Sequence, residues 1–187
     1  MELRKVISDI VNALVQVDEA GIPFKSFQPG VGPYGEPQLL KHISMYLNNV
    51  PSYKGCALTR RTPDLLIRGY WALEFKITRP FGDNGNEAED WSVNLLHPYP
   101  GNVSSIGDCY KLLEYQGEER RAVVVIGYEH SPARIDLTPL IESFEAITLQ
   151  VAHIKLSSRI EMLHSGLVHP VHQVLRIFAW EVLAQSA

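Results

Sequence analysis

Pro63-Asp64-Leu65-Leu66-Ile67-Arg68-Gly69-Tyr70-Trp71-Ala72-Leu73-Glu74-Phe75-Lys76 is the stretch on which the fold of this 187-residue chain turns. Two runs rich in Leu, Ile, Trp and Phe flank a short segment centred on Gly69, the pattern of two strands joined by a turn. Three charges interrupt an otherwise apolar pattern. Burying charge is costly unless the charges pair or hold an ion, so Asp64, Glu74 and Lys76 require a reason.

Strand geometry sorts them. Successive side chains point to opposite faces. Leu73, Phe75 and Ile77 share one face. Glu74 and Lys76 share the other, roughly 7 Å apart at about 3.4 Å per residue. Asp64 joins them only if paired residue numbers sum to an even value. An odd loop such as Arg68-Gly69-Tyr70, or a bulge, satisfies this; a two-residue loop does not.

The flanking sequence predicts a mixed α/β single domain over residues 1–187. Val6, Ile7, Ile10, Val11, Leu14 and Val17 recur at helical spacing over 2–20, with Gly21 and Pro23 beyond. Residues 22–35 read as a loop. Leu39, Leu40, Ile43 and Leu47 predict a helix from Glu36 to before Pro51, with Pro37 in its first turn. Strands follow at about 55–61, 63–68 and 71–78, then a long loop over 79–102. Ser105 is the expected cap of a helix over 106–116, with Asp108 in capping-box position. Residues 122–128 read as a buried central strand, 139–149 as a helix, 154–163 as a strand, and 170–183 as an apolar final helix.

Composition is that of a soluble globular protein: 45% hydrophobic, 20% charged, net charge −4. No apolar run reaches the ~18 residues of a membrane span. The N-terminal Met-Glu-Leu-Arg-Lys leads into an amphipathic segment, not a signal sequence. Cys56 and Cys109 fit no metal-finger spacing. A cytoplasmic protein with reduced thiols is expected. The charge balance counts against a strongly basic nucleic-acid binder, although a local basic patch is compatible with it.

Glu36 is a fourth candidate, because it lies in line with Leu40, Ile43 and Leu47 and so leans toward the packed face. Paired carboxylates suit Mg²⁺, which takes one or two protein carboxylates plus water and phosphate oxygens. Such an ion polarises a phosphodiester and acidifies a bound water, while a nearby lysine steadies the developing charge. The competing interpretation is an ion pair on a solvent-exposed strand, with Asp64 merely starting its own strand after proline.

Pro63-Asp64, then Glu74-Phe75-Lys76, with Glu36 on a preceding helix, resembles the PD-(D/E)XK nuclease superfamily. The resemblance implies a restriction-endonuclease-like core over about 36–128, ordered helix, three strands, helix, strand. A mixed sheet flanked by helices would carry an N-terminal helix and a C-terminal helix and strand as additions. It implies Asp64, Glu74 and the Phe75 carbonyl as ligands of Mg²⁺ (or Mn²⁺), Lys76 as catalytic, Glu36 as support, and Lys111 as a further basic residue. The expected activity is endonucleolytic, on DNA with RNA as the alternative. A non-cleaving binding module and a phosphohydrolase of small substrates are the other classes.

Arg60, Arg61, Arg68 and Arg79 flank the motif and are candidates for phosphate contacts. Trp71, Trp91 and Tyr99 are candidates for base stacking, against the commoner role of core or loop anchors. A homodimer is one expectation, because one site cuts one strand. The final helix, with Phe178 and Trp180, reads equally as a dimer face or as core. His164, His169 and His172 fit no zinc spacing and read as helix-start and surface residues. Ser104 and Ser105 read as capping residues, and the acidic 83–90 run as a solvated loop.

Overall fold

The structure, a computed structural model, describes residues 1–101 and 103–183. Asn102 and residues 184–187 lie outside the described residues, and with them part of the expected 79–102 loop and the end of the expected 1–187 domain. Seven strands form one open sheet: β1 Ala57–Thr59, β2 Leu65–Ile67, β3 Trp71–Thr78, β4 Arg120–Glu129, β5 Lys155–Leu156, β6 Ile160–Ser165 and β7 Val174–Leu183. The order is β1-β2-β3-β4-β7, with β5 and β6 both paired to β7. β3 and β4 run parallel and every other pair is antiparallel, so the sheet is mixed.

Two helical layers cover it. α1 Leu3–Glu19 and α2 Glu36–Asn49 lie on one face, over Leu73, Phe75, Val124 and Ile177. α3 Val93–Leu96, α4 Ser105–Glu114 and α5 Thr138–Gln150 lie on the other, over Ala72, Val123, Val125 and Phe178. Both faces being covered explains the continuous apolar run of β4. Among the described residues no helix is long and apolar enough to cross a membrane.

The β2–β3 hairpin has the odd loop that the faces require. Ile67 pairs with Trp71 and Leu65 with Leu73, leaving Arg68-Gly69-Tyr70 as the turn. Gly69 takes φ +74°, a left-handed conformation that costs glycine nothing. Its N–H donates to Glu119 Oε1 at 3.1 Å.

The elements differ from expectation in three places, one being the short α3 inside the expected 79–102 loop. The segment 170–183 contains a strand, not a helix. An unbroken apolar run does not separate a period of 2 from one of 3.6. Here both strand faces are buried, so every position is apolar. Phe178 and Trp180 therefore sit in the core of their own subunit, and the Trp180 indole donates to Glu145 Oε1 at 2.8 Å. Core is the alternative that holds, and a dimer face on a final helix does not exist. The strand expected at 154–163 is interrupted at 157–159, dividing β5 from β6.

The cap of α4 is Ser104 rather than Ser105: its Oγ accepts from Gly107 N at 3.0 Å. That shift by one removes Asp108 from the capping box and turns it toward the sheet.

Three loops are fastened together by buried polar groups. Asp18 accepts from Val31 N and Val168 N, both at 2.8 Å. His169 Nδ1 accepts from Val171 N and His172 N, each at 3.1 Å, so its proton is on Nε2, which donates to Asp83 Oδ1 at 2.8 Å. Asp83 also accepts from Gln28 N at 3.0 Å. His172 Nε2 donates to the Phe81 carbonyl at 2.9 Å, and the two imidazoles stack with centroids 4.4 Å apart. His169 and His172 are thus buried structural groups, not helix-start or surface residues. Asp83, within the acidic run, is a fastening point and not simply solvated.

Candidate active site

β1 ends at Thr59 and β2 begins at Leu65, whereas β3 runs on to Thr78. The sheet is therefore notched beside the second half of β3. Asp64 stands one step outside β2, opposite Glu74 in the continuation of the hairpin register. Its Oδ2 accepts from Phe75 N at 2.8 Å, and its carboxyl group is hydrogen-bonded to that of Glu74. Glu74 is 2% exposed, and its Oε1 is buried without a partner among the described residues. The exposed-strand ion pair is excluded, because this face lies under α4.

Lys76, two residues along the same face, meets Asp108 Oδ2 of α4 at 3.1 Å as a charge contact without hydrogen-bond alignment. Lys111, one turn further along α4, donates to Asp108 Oδ1 at 2.7 Å. One fully buried carboxylate therefore holds two ammonium groups. Asp108 is the residue that sequence reasoning missed. Its signal was present: it lies four residues before Leu112, on the apolar stripe of α4, in the same way that Glu36 precedes Leu40.

Glu36 opens α2 on the opposite layer and reaches the notch. Lys76, Asp64, Asp108 and Lys111 all act on its charge. Burial pushes its carboxyl up to about 7, with Lys76 opposing. Burial, and then the charges of Asp64 and Asp108, push Glu74 up to about 9. Asp64 is raised by burial, against the pull of the Phe75 N–H. Fully ionised, the four carboxylates exceed the two ammonium groups by two negative charges.

That excess, together with the orphaned Glu74 Oε1 and an all-oxygen donor set, fits a hard divalent cation. Among the described residues no three His, Cys, Asp or Glu side chains converge to cage an ion unaided. Any ion here would take one or two carboxylates and complete its shell with carbonyl, water or substrate oxygens, as Mg²⁺ commonly does.

The pKa shifts carry a stability consequence. The unfolded chain ionises the Glu74 carboxyl above about pH 4.5, while the folded chain retains its proton up to about 9. Stability is lost across that window as pH rises. Glu74→Gln, which keeps shape and hydrogen bonding, is expected to stabilise the metal-free protein at pH 8 by about 1–2 kcal/mol. Each kcal/mol raises Tm by about 2–4 °C in a chain this size. A thermal scan in EDTA checks this, and a lowered Tm contradicts it.

The basic residues divide. Arg60 and Arg61 are exposed on the β1–β2 connection and line a cavity of about 280 Å³ together with Glu36 and Asp64. Lys111 is engaged by Asp108 but half-exposed. Arg79 is mostly committed: it donates to the Tyr34 carbonyl and lies over the Tyr128 ring at 5.7 Å, while its buried Nε has no acceptor among the described residues. Arg68 is at the hairpin tip, away from the notch. Phe75 buries its ring in the α1/α2 core, leaving only its backbone for the site. Trp71 is fully buried. Comparison of the chain with protein-family models, curated proteins and solved structures gave no match.

Proposed function

We propose that the protein is a metal-dependent nuclease whose α2-β1-β2-β3-α4-β4 segment serves as a restriction-endonuclease-like core. One observation carries the proposal. Asp64, one step before β2, and Glu74, on β3, face each other under α4, with Lys76 next along the same face. A structural module gains nothing from burying this many like charges.

Asp64, Glu74 and the Phe75 carbonyl would hold Mg²⁺ or Mn²⁺. When bound, the ion supplies Lewis-acid polarisation of the phosphate and a water of lowered pKa. Lys76 sets a positive charge where the oxygens of the attacked phosphate gain negative charge. Asp108 keeps that ammonium over the strand and holds Lys111 alongside it. Glu36, with its carboxyl at about 7, holds or releases a proton near neutral pH on the edge of the centre. Arg60 and Arg61 flank the notch as phosphate contacts. The expected substrate is DNA, with RNA as the alternative. Cutting both strands of a duplex calls for two copies.

The direct test uses supercoiled plasmid, single-stranded DNA and nucleoside triphosphate, each with Mg²⁺, Mn²⁺ or EDTA. Wild type is expected to nick or degrade nucleic acid only with metal. Asp64→Asn is expected to be slower by at least about 10²-fold. Equal rates in the two proteins would remove Asp64 from the mechanism. Hydrolysis of the triphosphate alone would move the protein to the small-substrate class.

A further inference from the structure

We propose that a cavity at the carboxyl end of β3 receives one unpaired nucleobase. Resting on the nuclease reading above, this makes single-stranded or locally opened nucleic acid the substrate class of that centre. The cavity measures about 290 Å³. That is at the lower limit for ligand pockets, room for one heterocycle rather than a drug-sized molecule. Its walls are Phe27, Phe81 and Trp91 among the aromatics, and Arg79, Glu89 and Asn94 among the polar residues.

Its position ties it to the carboxylate centre. Ile77, next to Lys76 in β3 but on the opposite strand face, forms part of the wall. Arg79, also in the wall, interacts with the charge of Glu36, which in turn interacts with Asp64 and Lys76. His130, just beyond β4, sits edge-on to Phe81 at 4.7 Å. The cavity therefore lies outside the carboxyl ends of the two parallel strands, where open α/β sheets bind ligands. Part of it is preformed: Asp18, Asp83, His169 and His172 fix the loops that supply Phe27 and Phe81.

The lining chooses the ligand. Trp91 is half-buried and offers an aromatic surface for stacking, the main source of affinity for single-stranded bases. The Glu89 carboxylate and the Asn94 amide, both exposed, and the buried Arg79 Nε, which has no acceptor among the described residues, offer acceptors and donors alike to the edge of a base. A base held in a duplex is stacked on both faces and paired at its edge, and does not enter such a site without being extruded.

Intrinsic fluorescence tests this. Trp71 and Trp180 are fully buried, with indole N–H groups donated to Met1 O and Glu145, so base-induced quenching reports Trp91. Asp64→Asn protein in EDTA, where no cleavage is expected, is titrated with oligo-dC, oligo-dT, an oligo-dC·oligo-dG duplex and dCMP. Oligo-dC and oligo-dT are both expected to quench at concentrations where the duplex and dCMP do not. Anisotropy of labelled oligo-dC should show roughly 10- to 100-fold weaker binding to Trp91→Ala. Equal quenching by the duplex, or unchanged binding by Trp91→Ala, overturns the base site. Quenching by dCMP as strong as by oligo-dC assigns the cavity to a free nucleotide and overturns the substrate class. If wild type cuts nothing but the quenching pattern holds, the nuclease reading fails and the base site stands. If wild type nicks plasmid without any quenching, the base site alone fails.

Discussion

Lys76→Ala is expected to lower single-turnover DNA cleavage by roughly 10³-fold or more, the scale lost when a preorganised charge is removed from a transition state. Lys76 is the ammonium that shares a strand face with Glu74, and Asp108 fixes it there at 3.1 Å. The same substitution has a second cost. Asp108 is fully buried and would keep only Lys111 as a counter-charge. Removing one partner of a buried ion pair commonly destabilises by about 3–5 kcal/mol, and here the surviving lysine reduces that figure. Activity and stability are separated by the double variant Lys76→Ala/Asp108→Asn. It is expected to recover most of the lost Tm and none of the lost rate. A Lys76→Ala protein cleaving within tenfold of wild type would show that the lysine is structural.

Acidification is expected to unfold the protein through His172. Burial holds this imidazole neutral, with a pKa lowered to about 4; the neighbouring His169 and Arg79 push in the same direction, and the Phe81 carbonyl and Asp83 oppose. In the unfolded chain it protonates near 6.5. Stability contributed by the neutral ring is therefore complete above about pH 6.5 and is lost as pH falls toward 4. The full difference is about 3 kcal/mol. Glu74 and Glu36 have the opposite trend, so the measurement is the difference between wild type and His172→Gln in urea denaturation at pH 7 and pH 4.5. The difference in stability between the two proteins should shrink by about that amount at the lower pH. A constant difference would mean that the ring is already charged. The same spot is intolerant of added volume: a Cβ on Gly32 would lie 2.3 Å from His172 Nδ1 and 2.5 Å from its Cβ. Gly32→Ala must displace the imidazole or the loop, at a cost of about 3 kcal/mol.

What the sequence made legible follows from the reach of each signal. The Gly69 turn and the alternation of residues 71–77 are local. They therefore located the hairpin, the faces of Glu74 and Lys76, and the parity that Asp64 needed. Glu36 was legible because a charge on an apolar helical stripe has few ordinary explanations. Asp108 carried the same signal, but the assignment of the cap to Ser105 instead of Ser104 disguised it. Residues 170–183 read as a helix from sequence alone because burial on both faces erases periodicity. Val174, Ile177, Phe178, Trp180 and Val182 were the remaining strand signal. Asp18, His169 and His172 act across separations of up to 150 residues, and nothing local announces such contacts.

The three-residue turn at Arg68-Gly69-Tyr70 also imposes something like a reading frame on the site. Leu65, Leu66 and Ile67 are all buried, and both faces of β2 meet apolar layers. The packing of β2 is thus nearly indifferent to which face is which. The chemistry is not. One codon added to or removed from the turn would exchange the faces of β2, leave much of the hydrophobic packing usable, and carry Asp64 to the wrong side of the sheet. A fold can survive such a slip while its carboxylate pair vanishes, so turn length is as much a part of this centre as the acids themselves.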